Sequence, residues 1–220
     1  MDLRFKSPCS FLLGGVSQSG KTTFALNVLK NIDVLFQNPQ CKQNVLFFYN
    51  QWQDAYDIFR NSNIVKQWIN RLPTTDDITE KTMMYKDKGG SVLIIDDFAE
   101  KLDSAIVHLF SVLCHHTNSV VFVLTQNIFS KNRAFRDISL NSTYVVLFKN
   151  PRDSSQISNF ARQFAPGNTK GLVKAFRKAT RYPYSYMLFD FNQTTPTELR
   201  VRSRILPHEA PMVVWVEKEN

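Results

Sequence analysis

Short, uninterrupted apolar runs alternate along this chain with longer segments of helical periodicity. SFLLGG (residues 10–15) is the first run, and the segment from Lys21 to Ile32 behind it predicts a helix. NVLFFYN (44–50) is the second, rich in aromatics; polar, helix-compatible sequence then extends to Lys88, where Gly89-Gly90 ends it. SVLIIDD (91–97) is apolar until two acids close it. Residues 103–116 predict a helix with Ile106, Leu109, Phe110 and Leu113 on one face. SVVFVLTQN (119–127) and STYVVLFKN (142–150) are two further runs. Continuous rather than alternating apolarity predicts strands buried on both faces, as in a parallel sheet covered by helices on each side.

After Pro151 the pattern changes. DSSQISNFARQF (153–164) opens on Asp-Ser-Ser, good N-cap chemistry, and predicts a helix. Residues 168–180 predict another, carrying Lys170, Lys174, Arg177 and Lys178. YSYMLFDF (184–191) and ELRVRSRIL (198–206) flank NQTTPT and read as a hairpin. Its alternation sets Leu199, Val201 and Ser203 against Arg200, Arg202 and Arg204 on the other face. There is no internal repeat, low-complexity segment or linker, so residues 1–220 are expected to form a single domain with a basic C-terminal part, 151–220.

Composition refines this picture in three ways. Apolar content is 43% with 18 Phe, which implies globular order, and no apolar run approaches the ~20 residues that span a bilayer. The apolar patch near the N-terminus runs straight into a glycine loop and reads as strand one, not as a signal peptide. Cys9, Cys41 and Cys114 are too few and too scattered for a disulfide framework, so an intracellular, soluble, non-secreted protein is expected. Cys114-His115-His116 lacks a second ligand pair at zinc spacing. The net charge of +8 is uneven: residues 1–126 hold 12 Lys+Arg and 12 Asp+Glu, residues 127–220 hold 15 and 7. A basic half beside a neutral half suggests a polyanionic partner on one face, or a solvated basic surface kept for solubility.

The chemistry starts at GGVSQSGKTTF (14–24). Gly15, Val16, Ser17, Gln18, Ser19, Gly20, Lys21 and Thr22 satisfy G-x-x-x-x-G-K-[ST] in full, with Thr23 behind them. In such a loop, glycines let successive N–H groups face one anion, and the next helix adds its positive end. The pattern expects ATP and Mg²⁺ here, with Lys21 on the β- and γ-phosphates and Thr22 on the metal. SVLIIDD supplies the complementary acids: Asp96 to hold the Mg²⁺ shell and Asp97 to orient or deprotonate the attacking water. The alternative for Asp97 is that it caps the next helix or is solvated; its place beside the metal acid favours the water-activating role. Gln126, at the end of the following strand, is a candidate γ-phosphate sensor. Of Arg133, Arg136 and Arg152, the last two are the leading candidates for a guanidinium that acts on a neighbouring subunit's nucleotide. Paired with Asp137 or Asp153 they would instead be surface ion pairs.

Absences narrow the class. No N-K-x-D guanine motif follows, there is no LSGGQ-like segment, and 220 residues leave no room for a second ATPase core. Small P-loop kinases and non-motor regulatory NTPase modules remain open. Taken together, GGVSQSGKTTF, SVLIIDD, VVFVLTQNIF and ISLNSTYVVLFKNPRDSSQI resemble the FtsK–HerA superfamily. The resemblance is strongest to its viral DNA-packaging ATPases, of the poxvirus-type, Polinton (Maverick) and adinto-like branch, and covers about Phe11 to Pro207. It implies an α/β P-loop NTPase fold of the RecA/ASCE type. It also implies Lys21 and Thr22 as the Walker A pair, Asp96 as the Walker B acid and Gln126 as the sensor. Asp97 stands where many relatives have glutamate, one methylene longer. The resemblance further implies a homo-oligomeric ring, commonly a hexamer, that moves double-stranded DNA into a capsid in the virus-infected cell, with a capsid protein as a possible partner. On that reading Arg177, Lys178, Arg181, Arg200, Arg202 and Arg204 are the DNA-facing candidates.

Overall fold

The computed structural model describes residues 2–98, 104–108, 112, 114–129 and 133–217. In chain order its strands are β1 (Cys9–Gly14), β2 (Val45–Tyr49), β3 (Gln67–Ile69), β4 (Val92–Asp96), β5 (Val120–Thr125), β6 (Tyr144–Phe148), β7 (Tyr186–Asp190), β8 (Val201–Ser203) and β9 (Val213–Val214). They form one sheet in the order β3-β2-β4-β5-β1-β6-β7-β8-β9. Pairing is parallel from β3 to β6 and antiparallel from β6 to β9. The helices are α1 (Lys21–Lys30), α2 (Ile32–Leu35), α3 (Asp54–Arg60), α4 (Thr75–Met83), α5 (Ser104–His108), α6 (Cys114–His116), α7 (Arg133–Asn141), α8 (Ser155–Phe164) and α9 (Thr169–Ala179).

The continuous apolar strands are buried on both faces, as their composition requires. Phe11 and Leu13 of β1 point to one core, with Phe24 of α1 and Phe122 of β5; the Phe11 and Phe122 rings stack at 4.4 Å. Leu12, between them, points to the other, with Phe135 of α7 and Ile157 of α8. Fully burying each such side chain stabilises the fold by about 1.5–3 kcal/mol, which makes the sheet a rigid base for whatever its ends carry. At the start of α8 the cap residue Ser154 makes no side-chain cap bond; Asp153, one residue earlier, accepts the Ser155 N–H at Oδ1 at 2.8 Å. α9 has a true side-chain cap: Asn168 Oδ1 accepts the Gly171 N–H at 3.1 Å.

The structure amends three expectations. The stretch 51–88 is not helical throughout, because edge strand β3 lies between α3 and α4. QWI is too short to show a period, so it carries no strand signal. In the segment 103–116, Ile106 is buried as expected, while Leu109, Phe110 and Leu113 lie outside the described residues. The third concerns the hairpin. β7 and β8 do pair, with Leu188 opposite Arg202 and Phe189 opposite Val201. However, β9 covers the outer edge of β8, and Val201, Arg202 and Ser203 are all buried. Arg202 therefore does not face DNA. Its guanidinium pairs with Asp190 inside the fold and donates from Nη1 to the Leu3 carbonyl at 2.8 Å. Alternation along a strand predicts a wet face only when nothing packs there; here the N-terminal segment does.

Candidate active site

Strand register brings the predicted chemistry to one edge of the sheet. Gly14 of β1 pairs with Thr125 of β5, and Asp96 of β4 pairs with Leu124. All three strands run parallel, so the glycine loop, the two acids and Gln126 leave the sheet at the same end. The chain also changes direction here. From β1 it goes out to β2 on one side, and from β5 it crosses to β6 on the other. A crevice at such a switch point is where open α/β sheets bind ligands.

The loop is wound as the glycines dictate. The Gly15 N–H donates to the Thr125 carbonyl at 3.1 Å, and a Cβ on Gly15 would lie 2.7 Å from both Phe148 Cβ and Ser19 Oγ. Gly20 has φ 101, which L side chains rarely adopt, and turns the loop into α1. No side-chain cap bond is made at the start of α1, and the first N–H groups of a helix have no intrahelical partner. Lys21 is buried and donates from Nζ to the carbonyls of Gly15 at 2.6 Å and Val16 at 2.9 Å. Burial lowers its pKa, against the opposing pull of the Asp96 and Asp97 carboxylates.

Across the crevice, the buried Thr22 hydroxyl donates to Asp96 Oδ2 at 2.8 Å. The Tyr56 hydroxyl, on α3, donates to the same oxygen at 3.0 Å. Burial pushes the Asp96 carboxyl above its ordinary range, opposed by both hydroxyls and by Lys21. Asp97 is exposed, at φ 66, on the turn out of β4. Ser17 to Thr23, Asp96, Asp97 and Gln126 line a single crevice of 1320 Å³. A smaller cavity of 380 Å³, between the end of β6, α8 and α9, reaches Gly14 and Arg177 but contains neither Lys21 nor either acid.

The remaining candidates lie elsewhere. Arg136 is exposed on α7, and Arg152 is exposed between β6 and α8; neither lines the crevice. Arg177, Lys178 and Arg181 are exposed at and just beyond the end of α9. Arg204 is exposed, while Arg200 is half-buried and donates from Nε to the Thr195 carbonyl at 3.1 Å. Two residues with no sequence signal join the site: Tyr56, through its bond to Asp96, and Tyr184, which lines the crevice beside Gly20. Tyr56 sits in α3 beside Phe59, where a buried aromatic reads as ordinary packing. The sequence reads Tyr184 as the first residue of a strand, but β7 starts at Tyr186 and Tyr184 sits in the turn before it.

Asp96 yields a prediction about stability. Both donors reach the same oxygen, so the carbonyl of an asparagine can accept both bonds without the desolvated charge. Asp96→Asn is expected to raise stability by about 1 kcal/mol at neutral pH. The sign follows from the raised carboxyl: its penalty is present above the folded-state pKa and is relieved as pH falls through it. Thermal melts of both proteins across pH check this. Greater stability of the wild type at neutral pH would refute it.

No protein-family model matches the sequence, and no curated protein matches it. Among solved structures, the chain is similar to the genome packaging NTPase B204 from Sulfolobus turreted icosahedral virus 2, solved in complex with sulfate. The match covers 89% of this chain and 95% of that one, at TM-score 0.58 and 16% identity. The cytoplasmic domain of the Thermomonospora curvata type VII secretion ATPase EccC matches over 63% of this chain and 19% of that one, at TM-score 0.41 and 12% identity. The α/β P-loop fold expected from the resemblance is thus the fold observed, and it is shared with a viral genome packaging NTPase.

Proposed function

We propose that this chain is an ATP-hydrolysing motor subunit that translocates double-stranded DNA during viral genome packaging. The observation that carries the proposal is the Thr22–Asp96 hydrogen bond, which joins the GKT loop to the strand-end acid in one crevice with Asp97 and Gln126. The fold shared with a genome packaging NTPase and the basic end of α9 support the DNA half of the reading.

ATP and Mg²⁺ fit the residues present. Ser19 Oγ is buried without a hydrogen-bond partner among the described residues, and α1 offers uncapped N–H groups beside it. When bound, Mg²⁺ would neutralise charge on the phosphates; Thr22 and Asp96 are the residues to hold it. Lys21 exchanges its two loop carbonyls for phosphate oxygens. Asp97, exposed to the crevice, orients the attacking water and takes its proton, and Gln126 holds that water against the γ-phosphate. Arg136 and Arg152, both exposed, are the candidates to reach a neighbouring subunit's nucleotide in a homo-oligomeric ring, with a hexamer and a capsid contact as the family's implication.

ATP turnover measured with and without long double-stranded DNA, at two salt concentrations and several protein concentrations, tests the proposal. DNA stimulation that salt suppresses, with activity per subunit rising with concentration, is the expected result. Turnover blind to DNA would overturn the motor reading and turn attention to a phosphate acceptor. Neutralising Arg177, Lys178 and Arg181 together is expected to weaken DNA binding and to flatten its log–log salt slope by about 0.9 for each phosphate left without a cation. An unchanged slope would mean that the end of α9 faces something else.

A further inference from the structure

The loop between α9 and β7 carries Arg181, Tyr182, Pro183, Tyr184 and Ser185. β7 runs antiparallel to β6, with Tyr186 opposite Phe148. Residue 184 therefore lies past the C-terminal end of β6, at the sheet edge from which the glycine loop rises. Tyr184 has φ 63, a left-handed conformation that a bulky aromatic residue rarely adopts. It is also 71% exposed and stacks on no other ring among the described residues. Neither core packing nor backbone preference accounts for this placement. Its Cβ and Cδ1 lie 3.4 Å from where a Cβ on Gly20 would be, so the residue rests against the last glycine of the loop. It lines the same crevice as Lys21 and Thr22.

Resting on the phosphate-loop reading, we infer that Tyr184 is the platform on which the base of a bound nucleoside triphosphate stacks. A phosphate chain held between Gly15 and Thr22 leaves the nucleoside at the rim of the loop, and Tyr184 is an exposed aromatic ring at that rim. Backbone strain held at a ligand site, with the ring exposed, is what a preformed clamp requires. Stacking uses the π-face that every base has, so it contributes affinity without reading the ring edge. The site therefore takes nucleoside triphosphates without reading the base, with ATP and GTP within a few-fold of each other.

The test compares the wild type with Tyr184→Phe, which keeps the ring, and Tyr184→Gly, which suits the left-handed backbone and removes it. Binding of ATP, GTP and inorganic tripolyphosphate is measured for each full-length protein by calorimetry. In Tyr184→Gly, ATP and GTP are expected to weaken by roughly tenfold and tripolyphosphate to bind as before; Tyr184→Phe is expected to behave as wild type. Unchanged ATP affinity in Tyr184→Gly would overturn the inference, and so would equal weakening of ATP and tripolyphosphate, which marks a distorted loop. A variant defective only in DNA-stimulated turnover would assign the ring to DNA instead. Failure of the wild type to bind either ATP or tripolyphosphate would remove the phosphate-loop reading itself, and this inference with it.

Discussion

Lys21→Ala is expected to lower ATP turnover by roughly 10²–10³-fold, the scale at which losing one preorganised donor beside a transition state is felt. Its ammonium is the one cation lining the crevice among the described residues, and it already lies within the loop, at 2.6 Å from the Gly15 carbonyl. The fold is expected to survive. The lysine's bonds go to the loop's own carbonyls, and its burial disfavours the charge, so alanine removes a desolvated ammonium rather than a structural tie. The melting temperature should hold while turnover falls. Lys21→Arg is not expected to rescue activity, because a planar guanidinium does not fit a cradle shaped for a point charge. Wild-type turnover in Lys21→Ala would remove the site assignment. A collapse of the fold would show that the lysine ties the loop together.

That site is legible in the sequence because its residues are tied to strand ends. Four apolar residues before Asp96, and six strand residues before Gln126, fix where each strand stops, and a parallel sheet carries all the stops to one edge. The G-x-x-x-x-G-K-T spacing is equally local, since one turn and one helix start determine it. Tyr56 is not legible, because its role depends on how α3 folds back over the end of β4, 40 residues away in sequence. Tyr184 is not legible for a related reason: only the antiparallel pairing of β7 with β6 brings it to Gly20. The hairpin shows a different limit. Alternation of Val201 and Arg202 does mark two faces, but a strand pattern cannot reveal that β9 pairs along the outer edge, that Val201 joins a core cluster and that Arg202 reaches the N-terminal segment.

Arg202 is where this difference has its largest consequence. Read as a surface residue, Arg202→Ala would weaken DNA binding and leave the fold alone. Its position in the fold predicts the reverse. The guanidinium is 2% exposed, and removing it leaves the Asp190 carboxylate, equally buried, without its charge partner. Breaking one side of such a pair costs about 3–5 kcal/mol. For a domain of this size, that lowers the melting temperature by roughly 10 °C. Asp190 Oδ2 would keep only the Thr195 hydroxyl, at 3.1 Å, as a side-chain donor among the described residues. Salt dependence of DNA binding by the folded fraction is expected to be unchanged, in contrast to the variant lacking the charges of α9. Replacing both partners with apolar residues, Arg202→Met with Asp190→Leu, should recover most of the stability, because the penalty comes from the orphaned charge and not from the missing bond. Thermal melts of the two single variants and the double variant complete the cycle. A stable Arg202→Ala protein with weakened DNA binding would return this arginine to the surface, and with it the whole hairpin as a DNA-facing element.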